Sequence, residues 1–503
     1  MDARRDLLRL LSAAIPPIAF LGMVAVAIFA VWWGPLNQDE GWYLYAARLF
    51  REGLRPWRDF FFTQGPALPA VYSLILPPGS GLLAGRIATA LLGWLALGET
   101  LLLLRGRGIH LRGAFLLTSL LMGCNLYHAY FTTIPKTYAL ASALLMGGFL
   151  ALQRSTARPL LAALSGLLLA VAAATRLSLG AALPAVGATL LWQAVRPAPT
   201  ANRPCARLFL FVAGGLLGLV ILVACAAAWN PEVFLEAQRF HAARQGSSLI
   251  LVCGSILRLL GAYLPLVLLA LALRRFRWSV ELAAFLAIGL VQLSAPFPYD
   301  DYQVPAMPLL LVALASSLEF PAEPARRIRA ELALLSLCGI CAATSPLVQA
   351  SLLYGQDRFW PQIKRQSDLQ VLRETAREVR RLVPPGEPLL TQDLYLAVEA
   401  DRPVPKGFEM GPFGYFPEAS DDYVRRNHLH NRRTLEALLS TTSAPAAALS
   451  GYTFAIAAPA MTPIPECDRR RSLDALRARY SPVAEIPRFG QHHTTLQILR
   501  RNP

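Results

Sequence analysis

Two carboxylates stand side by side at Asp39 and Glu40, in the stretch GPLNQDEGWYLYAARLFREG. They come shortly after an apolar run that carries no charge and is long enough to cross a bilayer. A carboxylate in such a place can act as a general base toward a substrate at the membrane surface. It can also be an ordinary cap, because acidic residues stabilise the first turn of a helix.

Other ionisable side chains stand near the ends of later apolar runs. Ionisable groups at membrane depth cost free energy and therefore mark candidate sites. For any single arginine or lysine, the alternative is a side chain that reaches the lipid head groups or pairs at a helix end. The cations are Arg86, Lys136 and Arg176, and the other candidates are His241, Tyr299, Asp300, Asp301 and Tyr302.

The composition is that of a membrane protein. Hydrophobic residues make up 55% of the 503 residues and charged residues only 16%, whereas a soluble globular protein has about 25% charged residues. The net charge of +16 could suggest a nucleic-acid partner, but the basic residues cluster in short loops between apolar runs. Such clustering is typical of the cytoplasmic loops of membrane proteins, so we expect no nucleic acid.

The candidate residues must be positioned by helices that span the membrane. The predicted fold class is an α-helical polytopic membrane protein with about eleven transmembrane helices. Arginines recur in alternate loops, on the same side as the basic N-terminus, which predicts that this side is cytoplasmic. The acid pair and the other candidates then share the outer face. The spans are predicted near residues 10–33, 82–104, 113–130, 137–152, 159–174, 177–195, 208–229, 252–273, 279–297, 304–319 and 331–353.

The chain is predicted to contain two domains. A membrane domain is expected over about residues 1–353, and a small C-terminal α/β domain on the outer face over about residues 354–503, where the sequence is polar and rich in turns. Helical periodicity is found in DLQVLRETAREVRRLV. Strands are predicted for PLLTQD, FAIAAPA and TTLQILR.

The first outer loop, about residues 34–81, is expected to contain an amphipathic helix. Trp42, Tyr45 and Leu49 recur at helical spacing, while Arg48 and Glu52 lie off that face. A helix of this kind lies in the membrane interface. The acid pair stands at its start, so the carboxylates are expected at the depth of the lipid head groups.

The order of these elements resembles the GT-C superfamily of membrane glycosyltransferases. The similarity is greatest to the bacterial branch related to protein O-mannosyltransferases of glycosyltransferase family 39 and to the lipid A aminoarabinose transferase. It covers residues 1 to about 320. Its most specific element is the acid pair in NQDEGWYLYAARLFREG. Weaker elements are QGPALPAVYSLI, AGRIATALLG, IPKTYALASALL, ATRLSLGAALPAV and DDYQVPAMPLLL.

The resemblance implies an inverting transferase of a hexose or pentose in the bacterial cytoplasmic membrane. The donor would be a sugar on a polyprenyl phosphate, whose lipid tail stays in the bilayer while its head group reaches the outer face. The acceptor would be lipid A, another glycolipid, a cell-envelope glycan or a protein, and the sequence leaves both sugar and acceptor open. The N-terminus would be cytoplasmic and the C-terminal domain outside.

The resemblance also implies roles for the candidate residues. It places the catalytic residues at Asp39 and Glu40, with Asp39 as the general base; the longer Glu40 side chain is expected to orient the acceptor or to help hold a cation. The donor phosphate would be bound by Arg86, Lys136 and Arg176, and the acceptor site would be lined by His241, Tyr299, Asp300, Asp301 and Tyr302. Many relatives carry an acid where this sequence has Lys136, so no cofactor is certain and a divalent cation stays an open question.

Two other functions are compatible with a polytopic membrane protein. A transporter or flippase of lipid-linked sugars would show inverted repeats and broken helices with polar residues at mid-membrane, and the sequence shows no clear repeat. A non-catalytic scaffold that binds a partner through its outer domain would have no need of Asp39.

Overall fold

The computed structural model describes residues 2–196, 203–242, 249–273, 277–295, 298–318, 323–353, 366–455 and 464–503. Most of these residues are helical, and every segment predicted to span the membrane falls mainly on one helix or on consecutive helices and helical turns. The fold is that of an α-helical polytopic membrane protein with a small C-terminal sheet.

Sixteen helices precede residue 354 within the described part of the chain. They are α1 Asp2–Trp33, α2 Gln38–Arg51, α3 Ala67–Ile75, α4 Leu82–Gly106, α5 Leu111–Thr118, α6 Leu126–Phe131, α7 Thr137–Arg154, α8 Leu161–Thr175, α9 Ala182–Val195, α10 Pro204–Trp229, α11 Pro231–Ala242, α12 Leu249–Ala262, α13 Leu264–Ala272, α14 Val280–Leu293, α15 Met307–Ala315 and α16 Pro324–Leu353. Three short turns of other helix types join them, a π-helical turn at Ser119–Gly123 and 3₁₀ turns at Leu177–Ala181 and Asp300–Ala306.

Helix length and composition identify fewer spans than the eleven predicted. Four of the described helical segments are long and apolar enough to cross a membrane: Ser12–Trp33, Leu82–Gly106, Leu177–Val195 and Pro204–Trp229. The pair α12 and α13 would make a fifth if it forms one span, although it is bent by 82°. Shorter apolar helices lie at Leu111–Gly123, Leu161–Thr175 and Val280–Leu293. The count of eleven stays a prediction.

The long helices present large apolar side chains outward. Leu91, Phe209 and Val223 are each more than half exposed, and lipid tails satisfy such a surface whereas water would not. Between helices the contacts are close. A Cβ atom added to Gly166 of α8 would lie 2.1 Å from the carbonyl oxygen of Phe211 in α10, so glycine allows these two helices to approach, as is common in membranes.

The C-terminal part combines a four-stranded sheet with five helices in the described residues. The strand order is β1-β2-β4-β3, with β1 and β2 parallel and the other neighbours antiparallel. The strands are β1 Leu389–Leu390, β2 Ala446–Leu449, β3 Tyr480–Phe489 and β4 Thr494–Arg501. The helices are α17 Asp368–Leu382, α18 Leu394–Ala400, α19 Asp421–Arg426, α20 Arg432–Thr441 and α21 Glu466–Arg477, and a 3₁₀ turn lies at Gly411–Gly414.

The structure confirms part of the predicted C-terminal elements. The helix in DLQVLRETAREVRRLV and the strands in PLLTQD and TTLQILR are present as α17, β1 and β4. Most of FAIAAPA, residues 456–460, lies outside the described residues, as do residues 354–365 beside the predicted domain boundary. Strands β2 and β3 were not predicted, because the alanine-rich β2 has low strand propensity and β3 contains Pro482 and Pro487.

Helix α2 carries the acid pair and lies between the membrane helices and the C-terminal part. Residues 40–47 and Leu49 are all buried. The Tyr45 hydroxyl accepts a hydrogen bond from the Val404 N–H at 2.9 Å, and the Gln491 side-chain oxygen accepts one from the Gln38 N–H at 2.7 Å. The sequence predicted a helix with one buried apolar face in the membrane interface. In the structure, the C-terminal part also covers the other face of α2.

Candidate active site at the start of α2

Asn37 fixes the beginning of α2 and thereby the position of both acids. Its side-chain oxygen accepts a hydrogen bond from the Asp39 N–H at 3.1 Å, while the Glu40 carboxylate accepts one from the Asn37 N–H at 2.9 Å. This is a capping box, which satisfies backbone donors that the first turn would otherwise leave unpaired. Asp39 and Glu40 are adjacent in the first turn, so their side chains leave the helix in different directions.

Glu40 points into the protein and pairs with Arg86 of α4. Both side chains are fully buried, and two parallel hydrogen bonds of 2.7 Å join them. The remaining three N–H groups of the guanidinium donate hydrogen bonds of 3.0 Å to backbone carbonyl oxygens at the end of α1 and just beyond it. These oxygens belong to Val31, Gly34 and Pro35. All five donors of Arg86 are therefore used within the protein.

Asp39 points the other way and meets Lys136, which precedes α7. The Lys136 ammonium lies 2.9 Å from an Asp39 carboxylate oxygen and 3.1 Å from one of Asp301, in the 3₁₀ turn before α15. The Asp39 side chain is 27% exposed, whereas those of Lys136 and Asp301 are 10% and 8% exposed. Three segments that are far apart in the sequence thus meet at one cluster, with Asp39 on its open side.

Arg176, after the end of α8, extends this cluster and forms no salt bridge with any described acid. Its guanidinium carbon lies 4.2 Å from the ring centre of Tyr302 and 5.0 Å from that of Tyr138. Its only hydrogen bond among the described residues is a long one of 3.5 Å to the Thr137 hydroxyl, and its buried Nε has no partner there. Tyr138 in turn donates to Asp301 at 2.8 Å, which ties the arginine site to the lysine site.

The remaining predicted residues lie beside this cluster or outside the described side chains. Asp300 accepts a hydrogen bond from the Tyr127 hydroxyl at 2.6 Å and pairs with Arg258 of α12 at 3.3 Å. The rings of Tyr299 and Tyr302 lie 5.3 Å apart. His241 belongs to α11, but its side chain lies outside the described residues.

Three tyrosines of the site were missed by sequence reasoning. Tyr138 and Tyr127 are named above, and Tyr43 is fully buried near the cluster, where burial and the neighbouring Asp39 carboxylate raise the pKa of its phenol. A signal for Tyr43 did exist, because it stands four residues after Asp39 and thus on the same face of α2. Tyr138 stands two residues after Lys136, but helical spacing alone does not bring these two together.

The charge balance of the cluster bears on the divalent cation that the sequence left open. The residues that the structure describes contain no group of three or more His, Cys, Asp or Glu side chains placed to hold a metal ion. The Lys136 ammonium itself lies between the Asp39 and Asp301 carboxylates. It supplies positive charge where two acids converge.

Solved structures of other proteins share the fold of this chain, whereas comparisons by sequence find no match. No protein-family model matches the sequence, and no curated protein matches it. ArnT from Cupriavidus metallidurans bound to undecaprenyl phosphate matches with a TM-score of 0.61 at 14% identity, covering 97% of each chain. The same protein in the apo state matches with a TM-score of 0.60 at 16% identity, covering 95% of this chain and 96% of that one.

A weaker match is the oligosaccharyltransferase of Archaeoglobus fulgidus tethered to an acceptor peptide, with a TM-score of 0.44 at 12% identity, covering 86% of this chain and 69% of that one. ArnT and the oligosaccharyltransferase are both GT-C glycosyltransferases. With ArnT the likeness extends over nearly the whole chain, including the C-terminal part. The protein has the GT-C fold, as the sequence resemblance predicted.

Proposed function

We propose that this protein is an integral membrane glycosyltransferase. It would move a sugar from a polyprenyl-phosphate-linked donor to a cell-envelope acceptor, on the outer face of the bacterial cytoplasmic membrane. The fold shared with ArnT, which was solved with undecaprenyl phosphate bound, supports the donor class. The observation that carries the proposal is the cluster of Asp39, Lys136 and Asp301 beside Arg176, whose guanidinium forms no salt bridge among the described residues and whose Nε makes no hydrogen bond there.

Asp39 is the proposed general base. The acids at or beside the cluster are Asp39, Asp300 and Asp301. The Asp39 side chain is the most exposed of the three, so an acceptor hydroxyl can reach it. The acceptor oxygen forms a bond to the anomeric carbon as its proton passes to the Asp39 carboxylate. The bond from that carbon to the phosphate oxygen breaks, and its electron pair leaves with the polyprenyl phosphate. A single displacement of this kind inverts the anomeric centre.

Arg176 and Lys136 are the proposed partners of the leaving phosphate. The Arg176 guanidinium is held by two aromatic faces and keeps most of its N–H groups unused among the described residues, so it can offer a phosphate two parallel hydrogen bonds. Lys136 has three N–H groups and pairs with two carboxylates, which leaves one for the same phosphate. Positive charge fixed in advance stabilises the charge that develops on the leaving group.

Arg86 and Glu40 are given a different role from the one implied by the resemblance. Because all five donors of Arg86 are occupied and both side chains are fully buried, neither group is available to a substrate in this structure. We propose that they hold the start of α2 against α1 and α4, and that they position Asp39. Tyr299, Asp300, Asp301, Tyr302 and His241 remain proposed acceptor-site residues.

The function is tested by the envelope composition of cells with and without the protein. Mass spectrometry of lipids and glycans is expected to show at least one sugar-bearing species that disappears without the protein and returns with the wild-type gene. Asp39→Asn should fail to restore it, whereas Glu52→Gln, which removes a half-exposed acid at the other end of α2, should restore it. Identical envelopes in all four strains would contradict the proposal.

A transporter remains the second candidate because of one feature, the 82° bend between α12 and α13. Broken helices are typical of transporters that bind their substrates at mid-membrane. Vesicles that contain the purified protein and a fluorescent polyprenyl-phosphate sugar separate the two functions. Movement of the label across the bilayer without transfer to any acceptor would favour transport.

A further inference from the structure

A charged groove of about 480 Å³ lies between the end of α1 and α17, the first described helix of the C-terminal part. Trp32 and Trp33 form one wall, and these residues are 39% and 47% exposed. The opposite wall is the polar face of α17. No proposed catalytic or phosphate-binding residue lines this groove, so it is separate from the cluster at Asp39.

Three arginines of α17 face the groove. Arg373, Arg377 and Arg380 are spaced by four and three residues, so they share one face of the helix. The side chains of Arg373 and Arg377 are 48% and 62% exposed. An adjacent face of α17, which carries Leu372, Thr375 and Val379, is buried in the core and holds the arginine row toward the groove.

The two acids that line the groove are already engaged. The Glu399 carboxylate accepts a hydrogen bond of 2.7 Å from the Leu82 N–H at the start of α4, and it lies 3.5 Å from Arg373. Glu374 lies 3.9 Å from Arg377 and accepts a hydrogen bond of 3.2 Å from Gln370. Three guanidinium groups therefore face two carboxylates, and the groove keeps an excess of positive charge.

The tryptophans indicate the depth at which the groove opens. Tryptophan is enriched where membrane helices leave the hydrocarbon for the head-group region, and Trp32 and Trp33 end a helix that is long enough to cross the membrane. A phosphate of a lipid at that depth would lie within reach of the arginine row. Basic pockets beside membrane helices bind anionic head groups in this way.

We propose that this groove binds the phosphate head group of an anionic phospholipid and thereby docks the C-terminal part on the membrane surface. An anionic lipid is favoured over a zwitterionic one because both acids are engaged and the excess charge is positive. The site is also linked to α2. Asp368, at the start of α17, pairs with His493 at 3.3 Å, and Gln491 of the same hairpin bonds to Gln38 at 2.7 Å.

The test measures lipid retention by the purified full-length protein in detergent, by native mass spectrometry. Phosphatidylglycerol and phosphatidylcholine are titrated in parallel. The triple variant Arg373→Gln, Arg377→Gln, Arg380→Gln is expected to bind phosphatidylglycerol about 10-fold more weakly or worse, since each cation near a membrane surface strengthens such binding several-fold. Its retention of phosphatidylcholine should not change.

A matched control removes three other exposed arginines of the same C-terminal part. Arg381, Arg425 and Arg433 each pair with a nearby acid and do not line the groove, so their triple glutamine variant should bind phosphatidylglycerol within about 2-fold of wild type, as the electrostatic contribution falls off with distance. Equal losses in the two triple variants would overturn the proposal. So would equal retention of the two lipids by the wild-type protein.

Inorganic phosphate distinguishes a lipid site from a site for a free anion. Millimolar phosphate is expected to leave bound phosphatidylglycerol in place, and its complete displacement by phosphate would overturn the lipid assignment. If the triple variant fails to fold, the single variant Arg377→Gln replaces it. The Arg377 side chain is more exposed than that of Arg373, so its substitution is expected to disturb folding less. This variant should bind phosphatidylglycerol several-fold more weakly, and unchanged binding would contradict the proposal.

Discussion

The neighbouring acids Asp39 and Glu40 belong to two charge clusters that are built differently. Glu40 and Arg86 are fully buried and mutually bidentate, and the remaining guanidinium donors go to backbone carbonyls. Asp39 is partly exposed and shares Lys136 with Asp301, next to Arg176, which forms no salt bridge in the described part of the chain. The first cluster is saturated and the second is not.

This difference separates positioning from chemistry. A saturated buried pair has no free donor or acceptor for a ligand, and removing one partner leaves a charge without compensation in the interior. An unsaturated cluster keeps N–H groups that can donate hydrogen bonds to a phosphate, and a carboxylate that a hydroxyl can approach. One turn of α2 therefore serves both purposes, since adjacent residues of a helix point in different directions.

The largest effect is expected for Asp39→Asn. Asparagine still caps a helix but cannot take a proton at neutral pH, so turnover should fall by roughly 10²–10⁴-fold, with normal abundance in the membrane. The measurement is sugar transfer by purified protein, beside immunoblots of membrane fractions. Transfer at a near wild-type rate would mean that Asp39 is architectural and that the open cluster is not catalytic.

Arg86→Leu should act on stability instead. Glu40 would stay buried without its partner, which costs about 3–5 kcal/mol, and we expect low membrane abundance and a lowered unfolding temperature in detergent. The double variant Glu40→Gln, Arg86→Leu should be less destabilised, because no uncompensated charge remains. A stable Arg86→Leu protein whose only defect is weak donor binding would return Arg86 to the phosphate-binding role implied by the resemblance.

The general layout of this site could be predicted from the sequence. Apolar runs of membrane length are easily read, and the alternation of arginine-rich loops placed Lys136 and Asp301 at the same end of the helices as Asp39. The salt bridges of Lys136 show that these residues do meet. The GT-C fold could be predicted from the acid pair and its context.

The division of labour within the acid pair could not be predicted. Sequence spacing does not show which of two adjacent carboxylates faces a buried arginine, because that depends on how α2 is rotated against α1 and α4. The burial of the second face of α2 could not be predicted either. That face is covered by residues such as Val404 and Gln491, which lie several hundred positions away in the sequence. Contacts this distant in sequence leave no local pattern.

Arg176→Gln tests the unsaturated side of the comparison. Losing a hydrogen bond to a charged group costs roughly 1.5–3 kcal/mol, so the KM for the donor should rise about 10–100-fold with a smaller change in the KM for the acceptor. Arg196→Gln is a matched control, because Arg196 also stacks on an aromatic ring, that of Trp192 at 4.4 Å, but lies at the other end of α9. Equal effects of the two substitutions would remove Arg176 from the site.

Lys136→Ala should also impair use of the donor more than use of the acceptor, since the phosphate loses one cation. It should in addition reduce stability, because Asp39 and Asp301 would face each other without the ammonium between them. Donor titrations below and above the wild-type KM distinguish weak binding from slow turnover. An unchanged dependence on donor concentration would exclude contact between Lys136 and the phosphate.

The smallest effect concerns another buried acid, Glu409, which has no arginine or lysine in salt-bridge contact within the described residues. Its carboxylate accepts a hydrogen bond of 2.7 Å from the Gly407 N–H, and burial nevertheless raises its pKa from 4.5 to about 7. The folded protein therefore holds this proton over a pH range in which the unfolded chain has released it, so the contribution of Glu409 to stability is lost as the pH rises from about 4.5 to about 7.

Glu409→Gln keeps an oxygen for Gly407 but has no proton to lose. We expect the variant to unfold at a higher temperature than wild type at pH 8, by an amount equivalent to about 1–3 kcal/mol, and at a similar temperature at pH 5. Parallel unfolding curves for the two proteins across this pH range would show that Glu409 is tolerated in its charged form although no cation pairs with it in the described residues.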